Sequence, residues 1–227
     1  MNPTPISEEV TLSDGMADIL IEPHIAEITM PENLRVGRIV SDHRNECQLI
    51  ECEFDYYGFA FGQSPFPVPE PLVRALAANA EKGKYGPSEG IPELRRAIAY
   101  FNRRHFGLEI EPNRVIVGHG TKDLIYSLFR MIQGDVILPT PAWIGYAPQL
   151  NLLGKKLHLL HLQAESNYRL DADALDSYLK KLPRQQHILI LNNPNNPTGT
   201  VCSETELKDI AAVCRKHNTL VFADEIY

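Results

Sequence analysis

From Pro112 onward the sequence repeats one unit, a short apolar run rich in β-branched residues followed by an amphipathic stretch. The runs fall at residues 115–117, 136–138, 157–162, 188–191 and 220–223. A run without polar alternation suits a strand buried on both faces, which is the condition of a parallel sheet rather than a half-solvated antiparallel one. Between most of the runs the period changes to that of a helix. Residues 122–131 align Leu124, Ile125, Leu128 and Phe129; residues 171–182 align Leu175, Tyr178, Leu179 and Leu182; residues 203–217 align Leu207, Ile210, Ala211 and Cys214. Ser203 with Glu206 has the spacing of a capping box. The expected fold is therefore α/β, a mostly parallel sheet covered by helices on both faces.

The part before Pro112 reads differently. Residues 1–60 carry mixed charge and scattered proline, and only residues 34–40 and 49–54 have the character of short strands, so this region is expected to be an arm. Four prolines alternate from Pro65 to Pro71 and force extended backbone ahead of a helix opening at Pro71, with Leu72, Leu76 and Ala80 on one face and Gly83 as its stop. A second helix starts at Pro92, aligns Leu94, Ala97, Ile98 and Phe101, and ends at Gly107. Its arginines, Arg95, Arg96, Arg103 and Arg104, read as a solvated face.

Composition limits what such a chain can do. Its 227 residues make about one and a half domains at ~150 residues each. That is one large core. With 44% hydrophobic and 22% charged residues, disordered and fibrous classes are excluded. A net charge of −7 without a basic stripe argues against nucleic acid as a partner. Cys47, Cys52, Cys202 and Cys214 match neither a redox pair nor a zinc knuckle, so free thiols in a reducing compartment are expected. The acidic start lacks a secretory or mitochondrial leader, and the first apolar stretch is cut by Glu22 and Pro23, so no membrane partner and a cytoplasmic location are expected.

In a parallel sheet, ligands bind beyond the carboxyl ends of the strands, and the residues following each run are unusual. Gly118-His119-Gly120-Thr121 opens a helix and suits either a phosphate at the positive helix end or an ordinary glycine turn. The only tryptophan, Trp143, follows the next run; it could stack on a flat cofactor, although a lone tryptophan at a helix start more often packs in a core. Asn192 to Gly199 forms a run too rigid and too polar for a mere connector. Asp224 ends the last run, where a buried carboxylate calls for a cationic partner unless it simply caps a helix. His158 and His161, three apart on a strand, should face opposite ways and so make a poor metal pair. His119 reads as a surface residue.

In this order the segments resemble the class I/II aminotransferase family of fold-type I pyridoxal-phosphate enzymes. The likeness is carried by Asn193-Pro194-Asn195-Asn196-Pro197-Thr198-Gly199 and Ala223-Asp224-Glu225-Ile226-Tyr227. Upstream it extends to Gly62-Gln63-Ser64-Pro65-Phe66-Pro67-Val68-Pro69 and to the Tyr85, Gly90, Leu94 and Arg95 block. The resemblance implies a cofactor-binding large domain over residues 61–227, incomplete at its C-terminus, with residues 1–60 as an arm and part of a small domain. It further implies pyridoxal 5'-phosphate as cofactor, amino acid and 2-oxo acid substrates, and a homodimer. By position, Asp224 would face the pyridine nitrogen, Asn196 and Tyr227 the ring oxygen, and Trp143 the ring face. Gly120, Thr121 and Lys122 would cup the phosphate, and Tyr85 would reach the phosphate of a neighbouring subunit. Gly62, with Trp143 and Asn196, would meet the substrate. The family's Schiff-base lysine would stand beyond Tyr227, leaving no catalytic residue in the chain and making it an N-terminal fragment. A lyase or decarboxylase of the same fold, or a non-catalytic relative, are the alternatives to transamination.

Overall fold

The computed structural model describes Ile25, Met30, residues 32–50, Gly62 and residues 64–227. In chain order these form α1 (Glu32–Ile50), α2 (Glu70–Asn79), α3 (Pro92–Phe106), α4 (Thr121–Met131), β1 (Asp135–Thr140), α5 (Tyr146–Leu152), β2 (Leu157–His161), α6 (Ala172–Leu179), β3 (His187–Asn192), α7 (Glu204–Lys216) and β4 (Thr219–Asp224).

The four strands pair in parallel in the order β2-β1-β3-β4. The uninterrupted apolar runs sit where their composition requires, with Val136, Ile137, Ile188 and Leu189 buried. Alternate residues face two separate cores. On one side Val136, Leu138, Ile188 and Ile190 pack against Ile125 and Phe129 of α4 and Tyr146 and Leu150 of α5. On the other, Ile137, Leu160 and Leu189 pack against Leu175 and Leu179 of α6 and Ile210 and Cys214 of α7. The chain leaves β1 toward β2 on one side, then returns to place β3 on the other. Strand order therefore reverses between β1 and β3, which opens a crevice at their carboxyl ends.

Local chemistry fixes the helix ends. The Asp171 carboxylate accepts the Ala174 N–H at 2.8 Å and starts α6. The Ser203 hydroxyl accepts the Glu206 N–H while the Glu206 carboxylate accepts the Ser203 N–H at 2.6 Å, completing the expected box at α7. Gly107 adopts a left-handed conformation with φ 68° and closes α3.

Several expectations fail for identifiable reasons. Residues 115–117 form no strand; Val117 makes one backbone bond, to the Glu89 carbonyl, and a single bond builds no ladder. Residues 34–40, expected as a strand, lie inside α1. Their Leu34-Arg35-Val36 alternation mimics a strand, but no proline interrupts residues 32–50 and Glu32 pairs with Arg35 at helical spacing. Residues 51–54 of the second expected strand lie outside the described residues. α2 ends at Asn79 rather than Gly83, because Asn79 Nδ2 donates to the Ala75 carbonyl and Ala80 N–H turns back to Ala77. Arg95, expected in solvent, has a side chain only 13% exposed. It donates to the Pro112 carbonyl at 2.9 Å and pairs with Glu89 at 3.2 Å. Cys47 is disulfide-bonded, contrary to the expectation of free thiols.

Candidate active site at the carboxyl rim of the sheet

The first turn of α4, the segment leading from β1 into α5, and the ends of β3 and β4 surround a cavity of about 180 Å³. Its polar wall is Thr121, Asn192, Asn196, Asp224 and Tyr227; its apolar wall is Ile125, Trp143, Tyr146 and Ile226.

Each polar group is held by the element that carries it. The Asn192 amide donates to the Asp224 carbonyl at 3.0 Å and its oxygen accepts the Asn196 N–H at 2.6 Å, which ties the loop after β3 to the end of β4. Farther along, Asn195 Oδ1 accepts the Thr198 hydroxyl at 2.8 Å, and Gly199 N–H returns to the Asn195 carbonyl at 2.8 Å. The asparagine-rich run is thus bonded to itself, and Asn196 is left to face the cavity. Asn196 Nδ2 donates to the Tyr227 hydroxyl at 2.8 Å. With that oxygen accepting, the Tyr227 proton is free for a further acceptor.

Asp224 is met by a phenol. Tyr146 donates its hydroxyl to Asp224 Oδ2 at 2.5 Å. Burial, and after it this bond to the carboxylate, raise the Tyr146 pKa well above the ordinary phenol value, so Tyr146 remains a donor. Asp224 is half-buried, and this neutral donor stands where a cationic partner was expected. Its other oxygen, Oδ1, has no hydrogen-bonded partner among the described residues.

Trp143 lies edge-on to Tyr146, with ring centroids 5.1 Å apart and planes at 87°. It packs on the core around Tyr146 and also lines the cavity. A methyl group on Gly145 would run into the Trp143 ring, so the position admits only glycine while the indole stays in place. At α4, Gly120 takes φ 107° and no side chain caps the first turn, unlike α6 and α7. The Thr121 end of that helix therefore presents uncapped N–H groups beside the cavity.

Five residues singled out in the sequence meet here, namely Thr121, Trp143, Asn196, Asp224 and Tyr227. Gly120 and Lys122 flank Thr121 but do not line the cavity. Tyr85 is fully exposed, and Gly62 stands clear of its neighbours, with open space where a side chain would point. Every lysine of the chain is among the described residues, and none lines the cavity. Tyr146 escaped the sequence reading; its one signal was the spacing Trp143-x-x-Tyr146, which puts both rings at the start of α5.

The sequence matches the family model described as Aminotransferase class I and II over residues 55–227. The chain belongs to this aminotransferase family. It is 36% identical to an aspartate aminotransferase of Bacillus sp. (strain YM-2), over 76% of this chain and 45% of that protein. It is also 36% identical to a probable aspartate/prephenate aminotransferase of Aquifex aeolicus, over 76% of this chain and 44% of that one. Among solved structures, the aspartate aminotransferase of Thermus thermophilus with maleate superimposes with a TM-score of 0.82 at 27% identity, covering 92% of this chain and 54% of that one. The match to the curated relatives spans less than half of their length. The residues lining the cavity all fall within the stretch 55–227 that the family model matches.

Proposed function

We propose that the chain carries the cofactor-holding side of a pyridoxal-phosphate-dependent aminotransferase that moves an amino group between an amino acid and a 2-oxo acid. One observation carries the reading: a single cavity is lined by an uncapped helix start, a carboxylate with one oxygen open, an amide–phenol pair and an indole.

This donor set fits pyridoxal phosphate. The N–H groups at Thr121 suit a phosphate at the positive end of α4. Asp224 suits a protonated pyridine nitrogen, the Asn196–Tyr227 pair suits a ring oxygen carrying negative charge, and Trp143 offers an apolar face. When bound, the cofactor supplies a carbonyl for the amino group and a ring that takes up electrons. Asp224 would hold the proton on the ring nitrogen, and Tyr146 would keep the carboxylate aimed by occupying Oδ2. Tyr227, accepting from Asn196, would give its proton to the ring oxygen. Lys122 and Gly120 would shape the phosphate end, with Gly62 toward the substrate. A homodimer belongs to the same reading, supported by Tyr85, whose full exposure suits contact with a second copy. Among the described residues no helix is long and apolar enough to cross a membrane.

Trp143, the sole tryptophan, reports on the cavity directly. Titration with pyridoxamine 5'-phosphate, which needs no lysine to bind, should quench its fluorescence to saturation. Asp224→Ala should weaken that binding about tenfold, the worth of one charge-assisted contact. Absence of saturable quenching, or equal affinity in the variant, would overturn the assignment.

A further inference from the structure

The amino ends of the same strands hold a second cluster, at the opposite end of the sheet from the cavity. Asp135 opens β1 and pairs across the ladder with His187, which opens β3; Ile137 pairs with both Leu189 and His158 of β2. Because side chains alternate along a strand, Asp135, His158 and His187 share one face, the face covered by α6 and α7. His158 Nε2 and Asp135 Oδ2 are 2.9 Å apart, with side chains 12% and 18% exposed. One ligating atom from each of the three residues lies within 4.8 Å of the others.

His187 makes this more than a chance grouping. It is 2% exposed, and among the described residues neither Nδ1 nor Nε2 has a hydrogen-bonded partner. A buried imidazole with both nitrogens unanswered is a rare and unfavourable arrangement that calls for an occupant. A neutral imidazole carries a lone pair on one of its two nitrogens.

We propose that Asp135, His158 and His187 bind a divalent transition-metal ion of the zinc class through two imidazoles and one carboxylate, with water in the fourth position. Bonds of about 2.0–2.1 Å in a tetrahedron set the ligand atoms roughly 3.3 Å apart. The present separations reach from 2.9 Å to no more than 4.8 Å and bracket that value. On binding, the ion takes the place of the hydrogen between His158 Nε2 and Asp135 Oδ2, which moves to Nδ1 of the neutral ring or leaves to water. Two nitrogens with one oxygen suit zinc and disfavour magnesium or calcium, which prefer all-oxygen shells. His187 also lines a cavity of about 560 Å³ at this end of the sheet, which gives an approach from solvent. Lys180, Lys216 and His217 beside it each contact Asp176, which answers the two lysine charges. From His187 to Asn192 the strand runs about 16 Å at ~3.3 Å per residue. The two sites can therefore be titrated separately. A bound ion would pin the starts of β1, β2 and β3.

The test uses the whole chain, stripped with chelator and titrated with Zn²⁺ by calorimetry, and with Co²⁺ by its visible spectrum. One ion per chain with Kd below about 10 µM is expected near neutral pH. Affinity should fall in acid, where protons compete with the ion for its ligand atoms, and Co²⁺ should give the intense bands of four-coordinate geometry. Asp135→Asn and His158→Gln should each weaken binding at least about tenfold, and His105→Gln, an exposed position on α3, should not. Chelator-treated thermal melts establish that the variants fold. Should they not fold, imidazole ¹⁵N spectra of the wild-type chain still decide, because zinc should shift two histidines and leave the others. Absence of stoichiometric binding, equal binding by all variants, or shifts at other histidines would overturn the site.

Discussion

Tyr146 has two roles in one residue, since its ring fills the core against Leu150 and Phe129 while its hydroxyl holds Asp224. Tyr146→Phe separates them by keeping the ring. Loss of a buried bond to a carboxylate should cost about 1–2 kcal/mol in urea unfolding, and pyridoxamine 5'-phosphate should bind several-fold more weakly. Unchanged affinity would show that Asp224 needs no help to face the cavity. Trp143→Ala should loosen the same ligand while Trp143→Phe restores most of the binding, because the contact is a face and not a donated proton. If Ala and Phe dissociate alike, Trp143 is core packing alone. Trp143, Asn196 and Asp224 were each legible as odd residues at strand ends. Tyr146 was not, because an aromatic in a short amphipathic stretch carries no sign that its hydroxyl will meet a residue 78 positions away. The same holds for His187, whose meaning depends on which residues open the neighbouring strands.

Among the elements, α7 shows how a local motif reaches beyond itself. The capping-box residue Glu206 also takes Arg169 in a two-pronged contact at 2.8 and 2.9 Å. Its pKa is lowered to about 2, first by the Ser203 backbone N–H and then by Arg169. A carboxylate lowered in the folded state stabilises the fold above its unfolded pKa and loses that contribution as pH falls through the folded one. Stability should therefore drop from about pH 4.5 down to 2, with Asp176 acting in the same sense through Lys180, Lys216 and His217. Urea midpoints across that range should fall steeply in the wild type and less so in Glu206→Gln; equal slopes would contradict the linkage. Ser203→Ala should cost about 1 kcal/mol. The box, the glycine stop of α3 and the four strands were legible because each depends on residues a few positions apart. Residues 115–117 and α1 were not, since a strand needs a partner, and two-residue alternation says nothing about whether one is present.

At the scale of the molecule, the strand-order reversal between β1 and β3 collects the ends of β3 and β4 and the starts of α4 and α5 into a single cavity. The fold class followed from the alternation of runs and helices; the position of the reversal, and so of the crevice, required the pairing order that no short segment encodes. Because no lysine lines the cavity, the chain mixed with pyridoxal phosphate and reduced with borohydride should gain no stoichiometric pyridoxyl group at a single lysine, and should transfer no amino group. One defined adduct would mean that a lysine placed elsewhere reaches the site.

The central assignment is the seat of the cofactor at the carboxyl rim, and a crystal structure of the chain with pyridoxamine 5'-phosphate tests it most directly. The expected result is a ring nitrogen hydrogen-bonded to Asp224, the phosphate on the N–H groups at Thr121, the ring oxygen beside Asn196 and Tyr227, and Trp143 against the ring. A ligand bound away from this cavity, or seated in it with Asp224 directed elsewhere, would contradict the assignment.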